Sequence, residues 1–148
     1  NALENILLTA RDFTAGRLIC LFGCGGDRDK TKRPIMGAVV GELADVAVVT
    51  SDNPRTEDPT AIISDILAGM EGAGDRIHVE PDRRRAIGWA LEQGRPGDVI
   101  LLAGKGHETY QEVDGVQYPM DEREIVADWF RARENRQERT GNLPAAVV

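Results

Sequence analysis

The sequence is poor in cysteine, and its two cysteines, Cys20 and Cys24, lie only four residues apart. Two thiols without further Cys or His at ligand spacing form neither a disulfide framework nor a zinc site. We therefore expect both to be free and reduced, as is usual for proteins of the cytosol. Long apolar runs are missing too, and none approaches the roughly 18 residues that indicate a transmembrane helix.

Positive charge is scarce as well. The chain has 18 Lys and Arg against 25 Asp and Glu, so its formal net charge is −7. Proteins that bind nucleic acids or anionic membranes need a cationic surface, and this composition argues against both classes. A hydrophobic content of 41% and a length of 148 residues suit one globular domain with a sizeable core.

Three familiar motifs are absent. The glycine-rich stretch 23–34 is not a dinucleotide fingerprint, because Arg28 stands where the third glycine is required. It is not a P-loop either, since Asp29 occupies a required glycine position. The His107-Glu108 pair lacks the second histidine of a zinc helix, where the chain has Gln111. The motifs thus predict no metal site and no catalytic residue in this domain.

Hydrophobic periodicity alternates between helix and strand along the whole chain. Helices are predicted at 2–15, 34–44, 59–70, 83–93 and 121–134. Strands are predicted at 18–23, 46–50, 76–80 and 99–103, with a hairpin at 110–113 and 116–118. This alternation predicts an α/β, Rossmann-like domain of three layers, with a mainly parallel sheet, helices on both faces and a C-terminal antiparallel hairpin. Residues 135–148 lose periodicity and are expected to form a flexible tail.

Polar or glycine-rich loops follow three of the predicted strands, at 23–33, 51–58 and 104–108. The carboxyl ends of parallel strands meet at one edge of a sheet, so we expect these loops to converge on one ligand site. The first loop carries four closely spaced cations, Arg28, Lys30, Lys32 and Arg33. They suit a carboxylate or phosphate group, although a solvated turn between strand and helix is the alternative.

Three motifs together resemble the C-terminal domain of the Mur ligase family: Gly-Cys-Gly-Gly-Asp-Arg-Asp from Gly23, Asp-Asn-Pro-Arg from Asp52 and Ala-Gly-Lys-Gly-His-Glu from Ala103. They occur in the family's order, and the resemblance runs from Ala2 to about Phe130. It implies an ATP-dependent, peptide-bond-forming ligase of peptidoglycan biosynthesis, with residues 1–134 as its amino-acid-binding domain. The Asp-Asn-Pro-Arg form resembles members that add meso-diaminopimelate to UDP-MurNAc-L-Ala-D-Glu.

The resemblance also implies a mechanism and a setting. In the family, ATP phosphorylates the D-glutamate side-chain carboxylate, and the amine of the incoming amino acid then displaces phosphate. ATP, Mg²⁺ and the UDP-linked substrate bind mainly to other domains, whose motifs this chain lacks. We therefore expect a piece of a longer, cytoplasmic bacterial enzyme, inactive by itself.

The resemblance assigns binding of meso-diaminopimelate to six residues: Arg28, Asp52, Asn53, Arg55, Gly104 and Glu108. Lysine lacks the second carboxylate of this amino acid, so a selective site must recognise the remote zwitterion. The two arginines offer the planar fork that pairs with a carboxylate. The acidic and amide side chains would accept hydrogen bonds from the ammonium group, and the glycine would offer backbone at close range. Three further residues could face the nucleotide: Asp27, Lys30 and Arg33.

Structural alternatives exist for several of these residues. Asp52 and Asn53 could cap the turn that follows them, and Arg55 could form a surface ion pair with Glu57 or Asp58. For the whole chain, the alternatives are a lysine-adding ligase of the same family, a non-catalytic module that binds a diamino acid, and a nucleotide-binding domain unrelated to the cell wall.

Overall fold

The computed structural model describes residues 2–105, 107–137 and 146–148. Its helices are α1 (Ala2–Asp12), α2 (Lys32–Leu43), α3 (Pro59–Leu67), α4 (Arg83–Gln93) and α5 (Glu122–Gln137). Its strands are β1 (Leu18–Phe22), β2 (Val46–Val49), β3 (Ile77–Val79), β4 (Val99–Leu102), β5 (Tyr110–Val113), β6 (Val116–Pro119) and β7 (Ala146–Val147). None of the helices in these ranges is long and apolar enough to cross a membrane.

Five strands form a parallel sheet in the order β3-β2-β1-β4-β7, while β5 and β6 form a separate antiparallel hairpin. The predicted fold class is confirmed. The chain runs outward from β1 through β2 and β3, and then returns to place β4 on the other side of β1. Ligand sites of open α/β sheets lie where the strand order reverses in this way, at the carboxyl ends of the strands.

The core has two layers, one on each face of the sheet, because successive side chains of a strand point to opposite faces. In β1, Cys20 and Phe22 pack with α1, α2 and α3, while Ile19 and Leu21 pack with α4 and α5. All five residues of β1 are fully buried. A strand covered on both faces must be continuously apolar, which explains the uninterrupted run at 18–22.

Element ends differ from the sequence prediction in identifiable ways. Helix α1 stops at Asp12 instead of residue 15, and the hydroxyl of Thr14 donates to the carbonyl oxygen of Ala10 at 2.6 Å. Such a bond offers the last turn an alternative partner and ends the helix. Phe13, just beyond the end of this helix, is 58% exposed.

The predicted flexible tail, 135–148, lies largely outside the described residues, which omit 138–145. Of the described parts, 135–137 continue α5, so this helix extends past the predicted end at 134. Ala146 and Val147 form β7, which pairs in parallel with Val99 and Ile100 of β4. A two-residue strand is too short to show periodicity, so the sequence pattern could not predict it.

Candidate functional site at the carboxyl edge of the sheet

The loops that follow β1, β2 and β4 converge, as the sequence predicts. The amide of Gly26 in the first loop donates to the carbonyl oxygen of Asn53 in the second at 2.8 Å. The side-chain amide of Asn53 in turn donates to Glu108 of the third loop at 3.0 Å. Asn53 is therefore the link between all three loops.

The glycines of the first loop serve packing between loops rather than exposure of their amides to a ligand. A Cβ atom at Gly26 would lie 1.8 Å from the carbonyl oxygen of Pro54, and one at Gly23 would lie 2.5 Å from that of Thr50. Only glycine allows the two backbones to approach this closely.

Gly25 lies between the two candidate arginines. A Cβ atom there would be 2.8 Å from Nη1 of Arg55 and 3.5 Å from Cγ of Arg28. The side chain of Arg28 is exposed, and its recorded hydrogen bond is a long one, 3.3 Å, to the carbonyl oxygen of Asp27. The structure thus brings both arginines together and leaves Arg28 accessible to solvent.

Arg55 is held in place by the hairpin of β5 and β6. Its backbone is left-handed, with φ of 52°, and it exchanges hydrogen bonds with the hairpin: its amide donates to Glu112 O at 3.1 Å, and its carbonyl accepts from Asp114 N at 2.6 Å. Its Nη1 donates to Gly26 O at 3.0 Å and more weakly to Asn53 O at 3.4 Å. Nη2 makes no hydrogen bond within the described part of the chain, so it can still bind a ligand.

The acidic neighbour of Arg55 is Glu112, 4.0 Å from its Nε, rather than Glu57 or Asp58 as the structural alternative supposed. The side chain of Arg55 is 19% exposed, so this is a partly buried contact and not a solvated surface ion pair. Carbonyl oxygens and a loosely placed carboxylate hold this guanidinium in a fixed orientation. The site therefore presents a fixed cation next to an exposed one.

Arg33 was expected among the residues that could face the nucleotide, and the structure buries it among partners from the protein itself. The residue is 1% exposed, and its guanidinium donates to Glu57, Asp65 and the carbonyl oxygen of Gly25 at 2.8–3.1 Å. A buried charge needs such partners, because an unpaired one is very costly. Arg33 joins α2, α3 and the first two loops. Lys30, 70% exposed, remains accessible beside it.

Asp27 also orders the first loop. Its carboxylate accepts a hydrogen bond from the hydroxyl of Thr56 at 2.7 Å, and its amide donates to Glu57 at 2.6 Å. Its backbone is left-handed, with φ of 55°. These bonds tie the turn that carries Arg28 to the second loop.

Replacing Glu57 with Gln should weaken the fold in a pH-dependent way. Hydrogen bonds from Arg33, and then from the Asp27 amide, lower the pKa of Glu57 from its ordinary 4.5 to about 2. The carboxylate therefore stabilises the folded state fully above pH 4.5, and this contribution is lost as the pH falls toward 2. We expect Glu57→Gln to lower Tm by a constant amount above pH 5 and by progressively less below it. Thermal unfolding from pH 7 to 3 measures this, with Glu71→Gln at an exposed position as control. A Tm difference independent of pH would contradict the assignment.

Asn53 positions other residues and does not offer a free acceptor. It is 2% exposed, and its Oδ1 accepts from Lys105 Nζ at 3.1 Å and from Glu112 N at 2.9 Å. A carbonyl oxygen has two lone pairs, and both are used here. Its side-chain amide donates to Glu108. The structure thus places Asn53 behind the site, where it orients Glu108 and the hairpin.

Asp52, Gly104 and Glu108 line one corner of the site. The Asp52 side chain is 16% exposed and that of Glu108 is 37% exposed. Burial raises the pKa of Asp52, while the charges of Arg83 and Lys105 oppose the rise and that of Glu108 adds to it. Gly104 has φ of 107°, and a Cβ atom there would lie 3.7 Å from Asp52 Oδ2. Two carboxylates therefore lie beside a residue whose backbone conformation only glycine readily adopts.

Sequence reasoning missed Arg83 as a residue of this edge. It is 1% exposed and donates to the carbonyl oxygens of Ser51 at 3.0 Å and Ala103 at 2.9 Å, which joins the ends of β2 and β4. Its Nε pairs with Glu122 at the start of α5. The available signal was a run of three arginines in the first turn of α4, where the helix dipole disfavours cations. A cation in that position needs another partner.

The described residues offer no group of three or more His, Cys, Asp or Glu that could hold a metal ion. His107 is exposed. The carboxylates of the site are arranged around cations of the protein itself, so Mg²⁺ does not fit this part of the structure, and we assign no step to it here.

Comparisons with known proteins agree with the fold. A family model described as "Mur ligase, glutamate ligase domain" matches residues 1–106. A UDP-N-acetylmuramoyl-L-alanyl-D-glutamate–2,6-diaminopimelate ligase of Chromobacterium violaceum is 56% identical over 134 residues, which are 89% of this chain and 27% of that protein. The ligase of the same name from Clostridium botulinum is 56% identical over 131 residues, 88% of this chain and 27% of its own length.

A solved structure of a ligase with this name superimposes with a TM-score of 0.86 at 43% identity, over 90% of this chain and 27% of that one. The chain thus spans about a quarter of the length of these relatives. Both the family match and the fold lead to the same conclusion: the chain belongs to the Mur ligase family.

Proposed function

We propose that this chain is the C-terminal, amino-acid-binding domain of an ATP-dependent ligase that adds meso-diaminopimelate to UDP-MurNAc-L-Ala-D-Glu in bacterial peptidoglycan synthesis. The names of the relatives support this reaction. The structural observation that carries the proposal is the arrangement of Arg28 and Arg55 on either side of Gly25. Arg55 donates to the carbonyl oxygen of Asn53, the side-chain amide of Asn53 donates to Glu108, and Lys105 pairs with the carboxylates of both Glu108 and Asp52.

This arrangement suits the remote end of meso-diaminopimelate, which carries one carboxylate and one ammonium group. The substrate carboxylate would bind Nη2 of Arg55 and the guanidinium of Arg28, because an arginine fork matches a carboxylate. The ammonium would donate to Asp52 and Glu108, and the backbone at Gly104 would lie beside it. Lysine has the ammonium group but lacks this carboxylate, so it would leave Arg55 without its partner.

The domain would promote the reaction by placing the attacking amine. Holding the remote end of the amino acid fixes the other amine, which attacks the activated D-glutamate carboxyl carbon as the new C–N bond forms and phosphate leaves. Such positioning converts a bimolecular step into an effectively unimolecular one. The carboxyl group would be activated by phosphorylation with ATP. ATP would bind chiefly to other domains of this cytoplasmic enzyme. Lys30 is exposed on the first loop and would be the residue that meets the nucleotide, while Asp27 shapes that loop.

Competition between the two amino acids tests the proposal in the full-length enzyme. Equal concentrations of meso-diaminopimelate and L-lysine are supplied with ATP and UDP-MurNAc-L-Ala-D-Glu, and the products are separated by mass. We expect the diaminopimelate product to exceed the lysine product at least roughly tenfold, because one charge-assisted contact distinguishes the two. Predominant lysine incorporation would identify a lysine-adding ligase instead, and the absence of either product would favour a non-catalytic binding module.

A further inference from the structure

Lys105 is a fully buried cation at the centre of the candidate site. Its side chain is 0% exposed, and its Nζ lies 2.7 Å from Tyr110 O, 3.1 Å from Asn53 Oδ1, 3.4 Å from Asp52 Oδ1 and 3.5 Å from Glu108 Oε1. These oxygens come from the second loop, the third loop and β5. One ammonium group thus gathers three separate segments of the chain.

The surroundings of Lys105 overlap with those proposed for the substrate's ammonium group. Asp52 and Glu108 each approach Lys105 through one carboxylate oxygen, and Asn53 Oδ1 is already taken by Lys105 and the hairpin. Without the lysine, two carboxylates would lie close together with no cation between them, and like charges in a buried site repel strongly. With Lys105 present, the side chains of Asp52, Glu108 and Lys105 together carry one net negative charge, which matches one incoming ammonium group.

We propose that Lys105 is a positioning residue that determines specificity for the remote ammonium group of the amino-acid substrate. It fixes Asp52 and Glu108 around one buried charge, so that each keeps a second oxygen for the substrate. It also sets the electrostatic balance of the corner, because two carboxylates and one lysine attract a single cation. This inference rests on the proposed function and deepens it.

The pKa of Asp52 provides a readout that would not change if Lys105 had a purely structural role. Asp52 is faced by Arg83 of α4 and by Lys105 and Glu108 of the third loop, and the thiol of Cys24 in the first loop lies within its electrostatic influence. The positive charge of Lys105 lowers the pKa of Asp52. Removing that charge should raise this pKa, so that substrate binding is lost at a higher pH than in the wild type.

The test compares Lys105→Met with Lys105→Arg in the full-length enzyme, using meso-diaminopimelate as the probe. For Lys105→Met we expect KM for meso-diaminopimelate to rise roughly tenfold or more, with KM for ATP unchanged, because a charge-assisted arrangement is lost. The acid limb of kcat/KM should also move to higher pH. Lys105→Arg keeps the charge but not the shape, so KM should rise while the acid limb stays in place.

Arg17→Met serves as the control for lost stability. Arg17 pairs with Asp98 at 2.8 Å. The two residues directly precede β1 and β4, so they lie at the amino edge of the sheet, opposite the site. This variant should lower Tm and leave both KM values unchanged. If Lys105→Met does not fold, Lys105→Gln removes the same charge and replaces it in the test.

A lowered Tm for the neutral variant, with KM for meso-diaminopimelate and the acid limb both unchanged, would overturn the assignment of Lys105. A shifted acid limb in Lys105→Arg would do so as well. If instead the wild-type enzyme does not use meso-diaminopimelate at all, the proposed function fails, and the role of Lys105 fails with it.

Discussion

Replacing Arg55 with Ala in the full-length enzyme is expected to raise KM for meso-diaminopimelate by roughly ten- to a hundredfold, the equivalent of one charge-assisted hydrogen bond. The guanidinium is fixed by the carbonyl oxygens of Gly26 and Asn53 and has Nη2 free for the substrate carboxylate. KM for ATP should stay within about twofold, because this residue contacts the amino acid and not the nucleotide in our proposal. Steady-state kinetics with each substrate varied in turn measures both values.

Arg55→Lys is the matched variant for this experiment. It keeps the positive charge but loses the planar fork. Like Arg55→Ala, it leaves a residue other than glycine at this left-handed backbone position, so the two variants are constrained alike there. We expect its KM for meso-diaminopimelate to lie between those of the wild type and Arg55→Ala. An equal loss of affinity for ATP and for meso-diaminopimelate in Arg55→Ala would indicate a general collapse of the site and count against the assignment.

Gly26→Ala should damage both the fold and the site. The new Cβ atom would lie 1.8 Å from the carbonyl oxygen of Pro54 and 2.6 Å from its carbonyl carbon, and these are backbone atoms that cannot move independently. Overpacking of this kind costs about 3 kcal/mol when the backbone must shift. The shift would also break the hydrogen bond from Gly26 N to Asn53 O, which links the first two loops. We expect a lower free energy of unfolding and a loss of meso-diaminopimelate binding, measured by denaturant unfolding and by KM.

Gly88→Ala is the control for Gly26→Ala, because it makes the same change where there is space. Apart from the chain neighbours and the helix's own nearby backbone, no heavy atom of the described residues lies within 4 Å of the position that a Cβ atom would take at this residue of α4. Alanine is also the better helix former, so this variant should be more stable by about 0.5–1 kcal/mol. A Gly26→Ala variant as stable and active as the wild type would show that the loops do not need their close approach.

The fold was predictable because burial on both faces imposes a simple pattern. Continuously apolar runs marked β1, β2 and β4, and glycine, proline and acidic residues marked the element ends. The rule that the carboxyl ends of parallel strands meet at one edge then predicted that the three loops converge. The short β7 escaped prediction, since two residues carry no period.

Side-chain partners were less predictable, because they depend on contacts between distant residues. Arg33 and Arg28 lie in the same charged stretch, yet one is buried against Glu57 and Asp65 and the other is exposed. The sequence does not separate them, because the helix predicted from residue 34 leaves both arginines in the preceding loop, whereas α2 begins at Lys32 in the structure. The sequence assigned no role to Lys105, and its side chain is buried with a hydrogen bond to Asn53, 52 residues earlier in the chain. The sequence therefore predicted which loops meet at one edge of the sheet, while the partner of each side chain could be seen only in the structure.

The central claim is that this edge of the sheet recognises the remote carboxylate of the amino acid. Its most direct test is the ratio of kcat/KM for meso-diaminopimelate to that for L-lysine, measured side by side in the wild-type enzyme and in Arg55→Ala. We predict a large ratio in the wild type that falls toward one in the variant, because only diaminopimelate loses a contact. A ratio that is the same in both proteins would contradict the claim.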